Sequence, residues 1–283
     1  MRLGNSKSHF SHATTIIQHS RGWASLGLRE VWEFRELVSI LVTREIQGVY
    51  RQTALGISWI FLRPIISMLL LTFVFGRLVK VPSDGLPYPL FSLAALLPWG
   101  FFSNAVTRSS RSLVDNMHLI SKVYFPRLVI PIAGASSGIV DFIAGFIVFI
   151  VVFVIYRMPL RVEMFWLPIY LLVAFAFALA VGLWLATLSV KYRDVAFAVT
   201  FLLQALMYAS PVIYSETLVP TWFLPIYQLN PMTGVIQGFR WALLGSGEPP
   251  GAMFLVSIAL VVIGLFSGAY LFRRTERTVV DLL

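Results

Sequence analysis

The chain has 283 residues, of which 58% are hydrophobic and 12% charged, with a net charge of +9. A soluble domain carries roughly 25% charged residues, so this chain cannot cover a globular surface against water, and much of its solvent must be lipid. Cysteine is absent, which excludes a disulfide framework, thiol catalysis and cysteine-held zinc or iron–sulfur groups. The basic residues do not gather into a basic soluble domain that would hold nucleic acid; they sit between apolar runs, as orientation signals do.

Residues 1–28 carry Ser6, Ser8, His9, Ser11, His12 and His19 and lack the apolar core of a signal peptide. They read as a solvated, poorly ordered tail rather than a histidine metal site. Residues 29–54 then read as an amphipathic helix. Val31, Phe34, Val38, Leu41, Val42, Ile46 and Val49 fall on one face at about 100° per residue. Arg29, Glu33, Glu36, Arg44, Gln47 and Arg51 fall on the other, while Glu45 points into the apolar stripe. Such a helix lies in a membrane interface. It is either a plain lipid anchor or a docking surface for a cytoplasmic partner, which would give Glu45 a cation.

Residues 55–283 read as an all-α domain of six transmembrane helices. A span needs about 20 mostly apolar residues, and the candidates are 56–75, 90–106, 132–156, 166–188, 195–214 and 253–272. The second is short and carries Pro98 and Gly100. Six spans put both termini on one side, and the Lys/Arg bias places that side inside, with sixteen basic residues against five in the outer pieces.

Between the last two spans, 218–244 is apolar but broken by Pro220, Pro225 and Pro231. Asn230 followed by Pro231 reads as an N-cap with proline at the first helical position. The helix would stop at Gly245, at subspan length. Two short re-entrant helices in the outer leaflet satisfy this pattern, with Trp222, Asn230 and Pro231 as parts of a gate; the alternative is a helical surface loop. Arg63 and Asp141 are the ionisable residues well inside spans. They read as an intramembrane pair, or Arg63 as the attractor of an anionic substrate. One aspartate is thin support for an ion-coupled secondary transporter, and the absence of paired carboxylates weighs against a membrane enzyme of glycan assembly.

Several motifs then occur in a fixed order. Leu41-Val42-Thr43-Arg44-Glu45 and Arg51-Gln52-Thr53-Ala54-Leu55-Gly56 precede Trp59 and Arg63-Pro64. Phe73-Val74-Phe75-Gly76, Tyr88-Pro89, Asp115-Asn116 and Lys122-Val123-Tyr124-Phe125-Pro126-Arg127 follow. Tyr192-Arg193-Asp194, Ser210-Pro211-Val212-Ile213-Tyr214, Asn230-Pro231-Met232-Thr233-Gly234 and Gly238-Phe239-Arg240-Trp241-Ala242 complete the set. In this order and topology, over roughly residues 30–275, the chain resembles the type-2 ABC transporter permeases that export O-antigen, capsule and teichoic-acid polymers. The first 28 residues are longer than that family leads one to expect.

The resemblance implies a transport subunit rather than an enzyme, in the bacterial inner membrane. It implies a homodimer with the export channel at its two-fold axis, and two copies of a separate ATPase that carry the ATP and Mg. Consistently, the chain has no G-x-x-x-x-G-K-[ST] phosphate loop and calls for no cofactor of its own. The resemblance places ATPase docking on the arm and the Asn116–Arg127 loop, at Glu45, Asp115, Asn116, Lys122 and Tyr124. The implied substrate is a polysaccharide on a lipid pyrophosphate, for which Arg44, Arg51 and Arg127 are candidate contacts; the same arginines would equally suit anionic membrane lipid. Trp59, Phe61, Phe73, Trp99, Phe102, Tyr208 and Tyr214 are candidates for a pore wall on which sugar faces stack. Trp and Tyr also collect at bilayer interfaces without lining anything.

Overall fold

A computed structural model describes residues 28–50, 55–123 and 125–279. Among the described residues the chain is wholly helical. The expected tail over 1–28 lies outside them except for Leu28, as do Arg51 and Tyr124.

The arm is two helices, not one: α1 (Leu28–Glu33) and α2 (Arg35–Tyr50), broken at Phe34. The first span is a composite, with a 3-10 turn at Gly56–Ser58, α3 (Trp59–Leu71) and a π-helical end at Thr72–Leu78. Next come α4 (Tyr88–Asp115), the single turn α5 (Met117–Ile120), α6 (Val129–Ile155) and α7 (Leu167–Lys191). The remainder is α8 (Val195–Tyr208), α9 (Leu224–Gln228), α10 (Pro231–Leu244) and α11 (Ala252–Val279).

Five helical segments are long and apolar enough to cross a membrane: Gly56–Leu78, Tyr88–Asp115, Val129–Ile155, Val162–Lys191 and Ala252–Thr275. The fifth expected span, 195–214, is not among them. Its helix stops after 14 residues at Tyr208, about 21 Å at 1.5 Å per residue against a hydrocarbon core of about 30 Å. Pro211, which has no N–H to donate, lies just beyond. The second expected span, 90–106, is corrected in the other direction. Pro98 is absorbed within a 28-residue helix that runs on to Asp115, so Arg108 and Arg111 are helical residues rather than loop charges.

That long helix is the axis of the fold. α4 is the most buried of the five spans and packs against α6, α7 and α10. Burial alone explains little here, because lipid tails are as apolar as leucine; helices in lipid associate through close packing, which small residues permit. The contacts follow that rule. A Cβ on Gly134 of α6 would lie 3.1 Å from the Arg108 backbone, and one on Gly182 of α7 would lie 2.6 Å from the Ser109 Cβ. Two glycines on different helices thus let α6 and α7 close on the same turn of α4. The arm covers one end of this bundle, called here the arm end. α10 and the termini of α3, α6 and α8 mark the far end.

Candidate functional site

At the arm end, Leu37, Val38, Leu41 and Val42 of α2 pack on Leu113, Ile120, Val129, Ile130 and Ala133. The apolar stripe read from the sequence therefore covers protein. Trp32 and Ile40 remain exposed on the arm, with the Arg35 guanidinium over the Trp32 ring. Arg44 donates from Nη2 to the Oδ1 of Asn116, whose Nδ2 donates to the Ser112 carbonyl at 2.8 Å. Arg44 and Asn116 thus fasten the arm to the end of α4. Asn116 is buried by this contact, while Asp115 and Lys122 are exposed and Arg127 is half-buried.

Glu45 is half-buried in the same recess, beside Leu41, Ser112 and Gly134. Burial raises its pKa above the usual carboxylate value; Arg108 pulls it down, Asp115 pushes it up, and Arg44 pulls it down. The cations that the inward-pointing carboxylate requires are therefore present on this chain. A carboxyl whose pKa is raised on folding holds its proton more tightly in the folded arm. Its contribution to arm docking is complete below the ordinary value near 4.5 and is lost as pH climbs through the raised value. Hydrogen exchange at Leu41 and Val42 should thus quicken as pH rises across that window, after correction for the intrinsic rate. Glu45→Gln should flatten the dependence, and an unchanged dependence in that variant would exclude Glu45 as its source.

Deeper in the bundle, the expected pairing of Arg63 with Asp141 is corrected. Arg108 Nη2 lies 2.7 Å from Asp141 Oδ2, Arg108 Nη1 donates to Ser137 Oγ at 2.8 Å, and Asn104 Nδ2 donates to the same Asp141 oxygen at 3.2 Å. Asn104 and Arg108 are one turn apart on α4, which packs tightly on α6, and so reach Asp141 together. Sequence reasoning missed Arg108 because it ended the second span at Val106, nine residues before the helix ends at Asp115. Arg63 instead lines a cavity of about 280 Å³ between α3, α4, α6 and α8, whose wall also holds Asn104 and Asp141.

At the far end, α10 runs from the expected cap to the expected stop. Asn230 Oδ1 accepts from the Met232 N–H at 3.1 Å, and Gly245 ends the helix with φ 69°. The side chain of Val235 is buried and α10 packs on α4, α7 and α11, while Trp222 is 77% exposed. α10 is therefore part of the protomer body, and the exposed apolar residues of this segment, Leu218, Trp222, Phe223, Ile226 and Leu229, precede it. Arg240, one of the five basic residues counted in the outer pieces, is buried, at 4% exposed. It donates to the carbonyls of Phe91, Tyr214 and Val212 at 3.4, 3.2 and 3.1 Å, with its guanidinium 3.5 Å from the Phe91 ring centre. Tyr88 Oη donates to the Ile213 carbonyl at 2.7 Å. Three consecutive carbonyls in the irregular stretch after Pro211 are thus each met by a side chain from the body.

The aromatic candidates divide. Phe61, Phe73 and Tyr208 are exposed on α3, its π-helical end and α8, and Trp59 is half-buried. Trp99 and Phe102 are buried, Phe102 stacking on Phe177 at 4.9 Å between ring centres. Tyr214 is half-buried, and its hydroxyl donates to the Tyr208 carbonyl at 2.8 Å.

A family model described as ABC-2 type transporter matches residues 36–244. Among individual proteins, the chain is similar to the O-antigen export system permease protein RfbA of Myxococcus xanthus, 28% identical over 256 residues, covering 88% of this chain and 96% of the relative. It is 30% identical over 200 residues to the inner membrane transport permease YadH of Escherichia coli K12, covering 66% of this chain and 76% of YadH. The polysialic acid transport protein KpsM of Escherichia coli is 22% identical over 245 residues, covering 84% of this chain and 93% of KpsM.

Proposed function

The chain belongs to the ABC-2 type transporter family, and we propose that it is the membrane permease of an ATP-driven exporter carrying a lipid-linked polysaccharide out across the bacterial inner membrane. One observation carries the reading: the chain matches 96% of the length of an O-antigen export permease. ATP and Mg are bound by two copies of a separate ATPase. The permease acts as a homodimer, with the arm end cytoplasmic and both termini inside.

In this reading α8 and the turn after it form the sixth crossing, and α9 with α10 form the re-entrant pair in the outer leaflet. The exposed rings of Phe61, Phe73 and Tyr208 suit a wall along which sugar faces slide. Trp99 and Phe102 shape the protomer from within. Trp222 and its neighbours supply the movable part of the gate, hinged on a helix that Asn230 and Pro231 anchor to the body. Arg44 and Arg127 meet the incoming lipid phosphates at the cytoplasmic face.

Asp115 and Lys122 are the docking residues exposed at the arm end, whereas Arg44 and Asn116 hold the arm in place behind them. Asp115→Lys with Lys122→Asp should cut co-purification of the ATPase several-fold and leave the permease folded. Retained co-purification and retained ATPase stimulation would exclude this surface. Export itself is tested by co-expression with the cognate ATPase and by scoring polymer at the cell surface. Loss of export on ablating the ATPase phosphate-loop lysine supports the reading. Export that survives that change and collapses when the proton gradient is dissipated would replace it with an ion-coupled carrier.

A further inference from the structure

Arg63 is, among the described residues, an intramembrane charge without an ion pair in the protomer. Among the described residues the ion pairs are Arg108–Asp141 and Arg161–Glu163, and Arg63 is in neither. Its side chain is exposed, in a span where the surroundings are lipid, a second protein surface or a wet cavity. A guanidinium does not face lipid tails, so its position marks a site.

The cavity it lines has the character of a ligand pocket. α3 turns Ile60, Arg63, Pro64 and Ser67 toward it, a stripe of positions one helical turn apart. Pro64 has no N–H, so the Ile60 carbonyl lacks its usual helical donor and adds a polar edge. Across from it lie Asn104 and Asp141, and Asp141 already carries Arg108 at 2.7 Å. The carboxylate charge is thus neutralised from behind, and the wall presents a net positive charge through Arg63. Gly100 opens the space: a Cβ built there meets nothing within 4 Å. Apolar walls from Leu93, Leu97, Phe142 and Met207 complete a volume of about 280 Å³.

We propose that this cavity is an anion subsite that takes the phosphate headgroup of a lipid phosphate, with Arg63 as its cation. The assignment rests on the export reading, because a lipid-linked cargo is what brings a phosphate to this depth. A planar fork suits the paired oxygens of a phosphate, and the apolar walls beside it suit the first part of a hydrocarbon chain.

The test is binding to the purified full-length permease in nanodiscs of zwitterionic lipid, with farnesyl diphosphate, farnesol and inorganic diphosphate as probes. Farnesyl diphosphate should bind more tightly than either of the others. Arg63→Gln should weaken it by about tenfold or more, the loss of one charge-assisted contact, and leave farnesol unchanged. Arg63→Lys should recover part of the loss. Gly100→Leu, which fills the open space without touching Arg63, should weaken farnesyl diphosphate binding as well.

Equal binding by wild type and Arg63→Gln overturns the proposal. Inorganic diphosphate binding as tightly as the farnesyl compound overturns the headgroup assignment in favour of a free-anion site. Dissociation of a permease dimer by Arg63→Gln, with farnesyl diphosphate affinity unchanged, overturns it in favour of a carboxylate on the second copy. Export assays keep the two readings apart. Arg63-dependent diphosphate binding by a permease that exports nothing with its ATPase would sink the export reading alone. Full export by Arg63→Gln with undiminished binding would sink the subsite alone.

Discussion

Replacing Arg240 with leucine should cost about 3–5 kcal/mol of stability, the magnitude that follows when a buried hydrogen-bonded charge or its partners are left alone. The carbonyls of Val212 and Tyr214 lose donors that no water replaces at that depth, and the Phe91 ring loses the cation 3.5 Å from its centre. Lysine should recover less than half of the loss, since one ammonium cannot reproduce a planar fork directed at separate acceptors. Tyr88→Phe removes a single hydrogen bond, to the Ile213 carbonyl, and should cost about 1 kcal/mol. The measurement is thermal unfolding of the detergent-purified permease followed by tryptophan fluorescence. Arg240→Leu should lower the midpoint by on the order of 10 °C, and Tyr88→Phe by a small part of that. Equal midpoints for Arg240→Leu and wild type would mean that the Val212–Tyr214 backbone is held by something else.

Why Arg240 was invisible from sequence alone is a matter of what a charge pattern can report. A single arginine between two spans counts as an outer-side charge, and nothing in its neighbours announces that its acceptors lie 26 and 28 residues earlier. The local signal was Gly238-Phe239-Arg240. A Cβ on Gly238 would come within 2.5 Å of the Tyr170 ring, so that glycine lets α10 approach α7 and carries Arg240 into the body. By contrast, the limits of α10 were legible, because Asn230-Pro231 and Gly245 act through their own backbone geometry. The inward turn of Glu45 was legible too, since helical periodicity fixes which face a residue takes. Which cation it meets was not, because that depends on where α4 ends. The same unread helix end hid Arg108, while Pro98, read as lying inside a short span, is accommodated within a longer helix shielded by its neighbours.

Arg108 and Asp141 provide the corresponding test at the other end of the bundle. Their side chains are 12% and 14% exposed, so each singly substituted protein removes a charge's ion-pair partner in a place with little water. Arg108→Met leaves the Asp141 carboxylate with Asn104 as its remaining contact on α4, and Asp141→Asn leaves the guanidinium with Ser137. Each single change should cost about 3–5 kcal/mol. The double variant removes both charges at once and should be more stable than the sum of the two losses implies, with a coupling of about 0.5–3 kcal/mol. Arg63→Met with Asp141→Asn is the control, and its two effects should add, because Arg63 shares the cavity without sharing the bond. Strong coupling of Asp141 to Arg63, with none to Arg108, would restore the pairing first read from the sequence. It would also take away the spare cation on which the proposed anion subsite depends.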